Sequence, residues 1–333
     1  MTEAGHRLRM LPSALAERAR RFAAGDQTPV APKPAATVVL LRDESGDAAE
    51  ANALDRGAPV GGGASDSGAP DGGAPDRGAS GSGAPDREAP DGRACGLEVY
   101  LLRRVRSMAF AGGMYAFPGG SVDPRDADHD VGWAGPTPAE WAARLGGTDA
   151  EARMLVCAAV RETFEESGVL LAGPSADTVV ADVAGADWER DRRALVDREL
   201  AFSDFLSARS LVLRTDLLGL WAHWITPEFE QRRYDTRFFL AVLPVGQLTR
   251  DVSSEADEVC WLTPAAALAR LFRGEISMLP PTAVTLRELS EYRSIADVLA
   301  AVPSRDIYPI TPAVVDREGH VQLVLPGEDG YPS

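Results

Sequence analysis

Lysine is almost missing from the chain. Lys33 stands alone, and arginine supplies the rest of the 34 basic residues. We read that bias as a matter of coding composition, although the planar arginine fork also suits bidentate contacts to phosphate. Positive charge is scarce as well, because 50 acidic residues leave a net charge of −16. That balance argues against general attraction to nucleic acid or to an anionic membrane. An anionic substrate has to be met locally, by arginines or by divalent cations, and carboxylates are the ligands that hard cations prefer. Cysteine is rare too: Cys95, Cys157 and Cys260 are odd in number and far apart. They suggest neither a disulfide framework nor a zinc knuckle, and a reducing compartment fits best. No apolar run reaches the 18 residues of a transmembrane helix, and the N-terminus lacks the apolar centre of a signal peptide. The expectation is a soluble, cytoplasmic protein without nucleic acid or membrane partners.

The chain has 333 residues, of which 45% are hydrophobic, enough for a sizeable core without covalent staples. Residues 12–24 have helix propensity, with Ser13 as a cap, and 1–35 form a lead-in and linker. The β-branched runs at 36–42 and 97–105 predict buried strands. Between them, 43–96 drifts through GAP and GAPD repeats that cannot bury enough apolar surface to offset chain entropy. It is expected to be a disordered insertion between neighbouring strands, tolerated because loop-closure cost grows only logarithmically with length. Apolar spacing predicts a helix over 149–166 that stops at Gly168, and a charged helix over 186–208. Strands are expected at 211–227, 234–245 and 321–325, and helices at 264–274 and 282–302. This mixture indicates a mixed α/β or α+β domain. The main body spans 36–275, followed by a helical and extended tail over 276–333.

The strongest local signal is the run from Arg161 to Val169, with sequence RETFEESGV. On a helix, Glu162, Glu165 and Glu166 fall at i, i+3 and i+4, so three carboxylates share one face. Like charges packed this way repel unless something neutralises them. Mg²⁺ or Mn²⁺ would do so, since these ions take oxygen ligands and are shared between carboxylates and substrate phosphates.

These residues resemble the signature of the Nudix hydrolases, a glycine, then a glutamate, then Arg-Glu-apolar-x-Glu-Glu-x-Gly-apolar. Thr163 replaces the apolar residue, and Phe117-Pro118-Gly119-Gly120 resembles the glycine end. The resemblance implies that Glu162, Glu165 and Glu166, with the backbone at Gly120, bind metal, and that Arg161 orients a carboxylate. It implies a Nudix-type α/β/α sandwich with a mixed sheet. The interval from Gly120 to Arg161 is about 27 residues longer than the family's, an insertion before the helix. The early glutamate has two candidate counterparts, Asp126 and Glu151. Residues 101–120 and 224–244 further resemble the longer subgroup that includes peroxisomal coenzyme A diphosphatases, with Ala109 where that group's signature carries an arginine.

The activity this resemblance implies is metal-dependent hydrolysis of a nucleoside diphosphate linked to another moiety, such as coenzyme A or a derivative. The alternatives are dinucleotide cofactors or nucleotide sugars as substrates and, from another class, a Nudix-fold ligand sensor without turnover. The base is Glu162 on the helix, or Glu255 or Glu258 in a late loop, where the resemblance implies a glutamate acting as a further metal ligand or base. Arg104, Arg232, Arg233 and Arg237 are candidates for the phosphates, with at least one of the arginines near Asp235 expected to pair with it. Trp221, Trp224, Phe238 and Phe239 are expected mainly in the core. Homodimerisation is left open.

Overall fold

The computed structural model describes residues 13–25, 28–43, 96–108, 111–128, 130–251, 254–317, 320–329 and 331. The expected disordered stretch 43–96, apart from its two ends, and Ala109 lie outside the described residues. In chain order the first half comprises α1 (Ser13–Ala23), β1 (Lys33–Asp43), β2 (Leu97–Arg104), β3 (Tyr115–Ala116), β4 (Gly119–Ser121), β5 (Gly132–Ala134), α2 (Pro138–Leu145), α3 (Asp149–Ser167) and β6 (Ala172–Gly173). Then come α4 (Ala186–Val196), α5 (Phe202–Ala208), β7 (Val212–Arg214), β8 (Gly219–Ile225), β9 (Tyr234–Val242), β10 (Ala256–Leu262) and α6 (Pro264–Phe272). The chain closes with α7 (Pro280–Leu289), α8 (Ile295–Ala301), β11 (Pro309–Ile310), β12 (Ala313–Arg317) and β13 (His320–Val324).

The main sheet is mixed, in the order β10-β2-β1-β9-β8-β11, with β3 beside β2 and β4 beside β1. β1 lies at its centre, parallel to β9 and antiparallel to β2. Its run Val38–Leu41 has no exposed surface, as expected of a strand covered on both faces. Alternation then divides the core into two layers. Ala36, Val38 and Leu40 pack with Val156, Ala159 and Val160 of α3, while Val39 and Leu41 pack with Leu268, Leu286 and Val298 of α6, α7 and α8. The result is the expected α/β/α sandwich. Complete burial of Val156 and Val160 contributes about 1.5–3 kcal/mol each relative to exposure.

The helix expected over 186–208 is two helices. It breaks after Val196, and Arg198 takes a left-handed φ of 59°. The helix expected over 282–302 likewise divides into α7 and α8, with Ser294 capping the second. The extended run 211–227 is interrupted by a 3-10 turn at Thr215–Leu217, and its two parts join different sheets. β10 occupies part of the expected late loop, so Glu258 sits on a strand. The long interval between Gly120 and Arg161 is folded: it holds a 3-10 turn at Pro124–Ala127, β5, α2 and the first turns of α3. The C-terminal hairpin β12–β13 returns to α1, where Ala16, Ala19, Val321 and Leu323 form a small satellite core.

Candidate active site

α3 begins with a reciprocal cap, in which Glu151 accepts from the Thr148 N–H at 2.7 Å and Thr148 Oγ1 accepts from the Glu151 N–H at 3.3 Å. It ends at Gly168, whose φ of 73° suits glycine. Glu151 is therefore occupied at the far end of the helix from the carboxylate run. Thr163 stands fully buried where an apolar residue is usual, and its hydroxyl donates to the Ala159 carbonyl at 2.7 Å. That bond removes the penalty for burying it.

The last two turns of α3 carry the site. Arg161 Nε and Nη2 donate to the two oxygens of Asp126, each at 3.0 Å, and Nη2 also to the Ser121 carbonyl at 3.1 Å. Its Nη1 reaches Glu162 at 2.8 Å and Glu165 at 3.2 Å. Glu166 accepts instead from the Gly119 N–H at 2.7 Å. Asp126, brought back by the 3-10 turn, thus takes a place beside Arg161 that its spacing from Gly120 only hinted at. Gly120 lets the Glu162 carboxylate approach: a Cβ there would lie 2.5 Å from Glu162 Oε1 and displace it.

One arginine serves three carboxylates, with Glu166 close by, and the electrostatics reflect it. Burial pushes the Glu162 carboxyl up to about 7 against the pull of Arg161. Burial raises Glu165 as well. Glu166 is driven well above the ordinary range by burial and then by repulsion from Glu162. Among the described residues no three His, Cys, Asp or Glu side chains already converge as a metal cage, because Arg161 and the Gly119 N–H hold the carboxylates. The donor set nevertheless fits a hard divalent cation. It is all oxygen, it is short of positive charge, and the Glu162 carboxylate lies directly over the Gly120 backbone.

Glu162, Glu165 and Glu166 line a cavity of about 480 Å³. Arg104 and Glu255 face it from another wall, 3.5 Å apart. The Nε of Arg104 is buried without a hydrogen-bond partner among the described residues. Arg198 and Arg232 also line the cavity, and apolar surface comes from Leu195, Leu200, Phe202, Trp224, Phe238 and Leu279. Trp221 and Phe239 are core residues with no exposure.

Three of the candidates lie apart from this cavity. Glu258 pairs with Arg103 at 2.8 Å. Arg233 donates to the carbonyls of Thr226 and Val30 at 3.0 and 2.8 Å. Arg237 is buried against Asp235, His223 and the Leu145 carbonyl. Both arginines therefore spend their donors inside the fold. Sequence reasoning did not single out Arg198, Glu189 or Arg192. Their signal was only a charged helix.

A model of the NUDT19 Nudix domain matches residues 148–289. The acyl-coenzyme A diphosphatase NUDT19 of Xenopus laevis is 26% identical over 274 residues, covering 71% of each chain. The Gallus gallus protein of the same name is 28% identical over 284 residues, covering 72% of this chain and 74% of its own. A crystal structure of a Nudix hydrolase from Alicyclobacillus acidocaldarius shares the fold, with a TM-score of 0.57 and 24% identity over 81% of this chain and 96% of that one. With the REx₂EE run on a capped helix, the preceding glycines and this sandwich, the chain resembles the Nudix hydrolases, enzymes acting on diphosphate bonds, and within them is similar to the acyl-coenzyme A diphosphatases.

Proposed function

We propose that the protein hydrolyses the diphosphate bond of coenzyme A or an acylated derivative, with Mg²⁺ or Mn²⁺ held by Glu162, Glu165 and Glu166 and the backbone at Gly120. The observation that carries this reading is the juxtaposition, in one cavity, of the carboxylate cluster, the arginines Arg104, Arg198 and Arg232, and an apolar wall. A diphosphate suits the first two, and a pantetheine or acyl chain suits the third. The similarity to acyl-coenzyme A diphosphatases supports the same choice over dinucleotides and nucleotide sugars.

A bound divalent cation would supply Lewis-acid stabilisation of the diphosphate and a more acidic water. The chain's own residues orient the reaction. Arg161 holds Glu162 and Glu165 in fixed rotamers, and the Gly119 N–H holds Glu166. Arg104 presents its guanidinium to a phosphate oxygen, and its unpartnered Nε gains an acceptor there. Glu255, 55% exposed on the cavity wall, takes the proton from the attacking water as it closes in line on phosphorus. Arg198 and Arg232, neither of them paired with a carboxylate among the described residues, meet the remaining negative charge of the substrate.

The test is product release from coenzyme A, acyl-coenzyme A, dinucleotides and nucleotide sugars with each metal, with Glu255→Gln alongside. The expected result is turnover of the coenzyme A compounds and a kcat lowered by about 10²- to 10⁴-fold in the variant. Preferential turnover of dinucleotides or nucleotide sugars would overturn the substrate. Saturable binding without product, unchanged by Glu165→Gln, would replace the enzyme by a sensor.

A further inference from the structure

The motif helix α3 ends beside a second ionic cluster whose members belong to neither the signature nor the cavity lining. The last carbonyls of any α-helix lack intrahelical donors, and here two of them are met from outside. Arg192 of α4 donates through Nη1 to the Glu165 carbonyl at 2.5 Å, and the backbone N–H of Arg250 donates to the Ser167 carbonyl at 2.9 Å. Cations at this end also complement the helix dipole.

The side chains of both arginines meet one carboxylate. Glu189 takes Arg192 in a two-point contact, from Nε at 2.9 Å and from Nη2 at 2.8 Å. It also accepts from Arg250 Nη1 at 3.2 Å and from Arg193 Nε at 2.9 Å. The Arg192 side chain is only 4% exposed, whereas Arg193 is 72% exposed. Arg250 lies against Gly168, where a Cβ would come within 2.8 Å of its Nε. Five residues after Arg250 the chain reaches Glu255 on the cavity wall, and the end of α4 supplies Leu195 and Val196 to the same cavity.

We infer that Glu189 is a positioning residue for hydrolysis, holding through Arg192 and Arg250 the turn of α3 that carries Glu165 and Glu166. The inference rests on the proposed metal role of those glutamates. A simple helix cap would need one donor. Here a two-point ion pair fixes the guanidinium whose third nitrogen touches a residue of the carboxylate cluster, so loss of the pair lets that turn drift. Outer partners that orient metal ligands typically cost about 10- to 100-fold in metal affinity or activity when removed.

The experiment uses the full chain with Glu189→Gln, Arg192→Lys and Arg193→Ala. Mn²⁺ binding is titrated with the metal alone, followed by electron paramagnetic resonance; kcat and KM are measured with coenzyme A well below each variant's Tm. Glu189→Gln is expected to weaken Mn²⁺ binding and lower kcat about tenfold or more, with KM within about twofold. Arg192→Lys, which keeps one donor for the Glu165 carbonyl, retains part of both, and the exposed Arg193→Ala changes neither. Unaltered Mn²⁺ affinity and kcat beside a lowered Tm would overturn the inference and leave Glu189 a purely structural ion pair. Should Glu189→Gln fail to fold, Arg192→Lys with wild-type affinity and kcat would overturn it equally. A wild-type chain that binds no Mn²⁺, or binds it without cutting coenzyme A, would instead count against the proposed metal or substrate.

Discussion

Two ionic clusters meet at the C-terminal end of α3 and have opposite imbalances. On the cavity side, Arg161 faces Asp126, Glu162 and Glu165, with Glu166 close by. On the other side, Glu189 faces Arg192, Arg193 and Arg250. The first cluster is short of cations, and its buried glutamates are pushed towards their neutral forms. The second is rich in cations, and its carboxyl is held down to about 2 by the hydrogen bonds from Arg192. A buried excess of one sign persists only where something else compensates it. The cavity cluster is open to a cation from solution, whereas the Glu189 cluster is satisfied by the protein itself.

The contrast is broken most severely at Glu166. Glu166→Gln keeps an acceptor for the Gly119 N–H but removes a charge, and steady-state kinetics should show kcat reduced by at least about 100-fold. The same change should raise the Tm of the metal-free protein, because it relieves repulsion from Glu162. Calorimetry with and without EDTA checks the sign, and a lowered Tm would contradict the imbalance. Next in size is Arg161→Met, which leaves the buried carboxylates without their cation. Urea denaturation should show a loss of about 3–5 kcal/mol.

A smaller effect is expected of Gly120→Ala, whose Cβ would meet the Glu162 carboxylate at 2.5 Å. Displacing that carboxylate should lower kcat about tenfold while leaving the fold intact by circular dichroism. The smallest effect separates the clusters by pH. The Glu189 carboxyl titrates lower in the folded chain than the ordinary 4.5, so its contribution is full above that value and is lost as pH falls towards about 2. Tm measured against pH should show wild type above Glu189→Gln at neutral pH and the two converging through that window.

Much of the site was legible because it is local. The i, i+3, i+4 spacing of Glu162, Glu165 and Glu166, the stop at Gly168 and the apolar run of β1 follow from helical and strand periodicity, and the structure keeps them. The breaks at Arg198 and at Ser290–Ser294 were not legible. Neither contains proline or glycine, and each depends on where the neighbouring segment must turn to cover the sheet. Arg233 and Arg237 looked as available for phosphate as Arg104 did, yet their side chains turn inward to carbonyls. No pattern in sequence distinguishes an arginine that faces a cavity from one that braces a loop.

By itself, the sequence determined the helix that bears the carboxylates, the excess of negative charge on one of its faces, and the strands that bury it, since each depends on residues a few positions apart. The tertiary structure decided which groups reach that face. Asp126 comes from 35 residues away to hold Arg161, Glu255 and Arg104 close the cavity from the other wall, and Arg192 ties α4 to the end of α3. Such placements depend on chain closure and on packing between distant elements, where the free energy of each contact is realised only after the whole sandwich has formed.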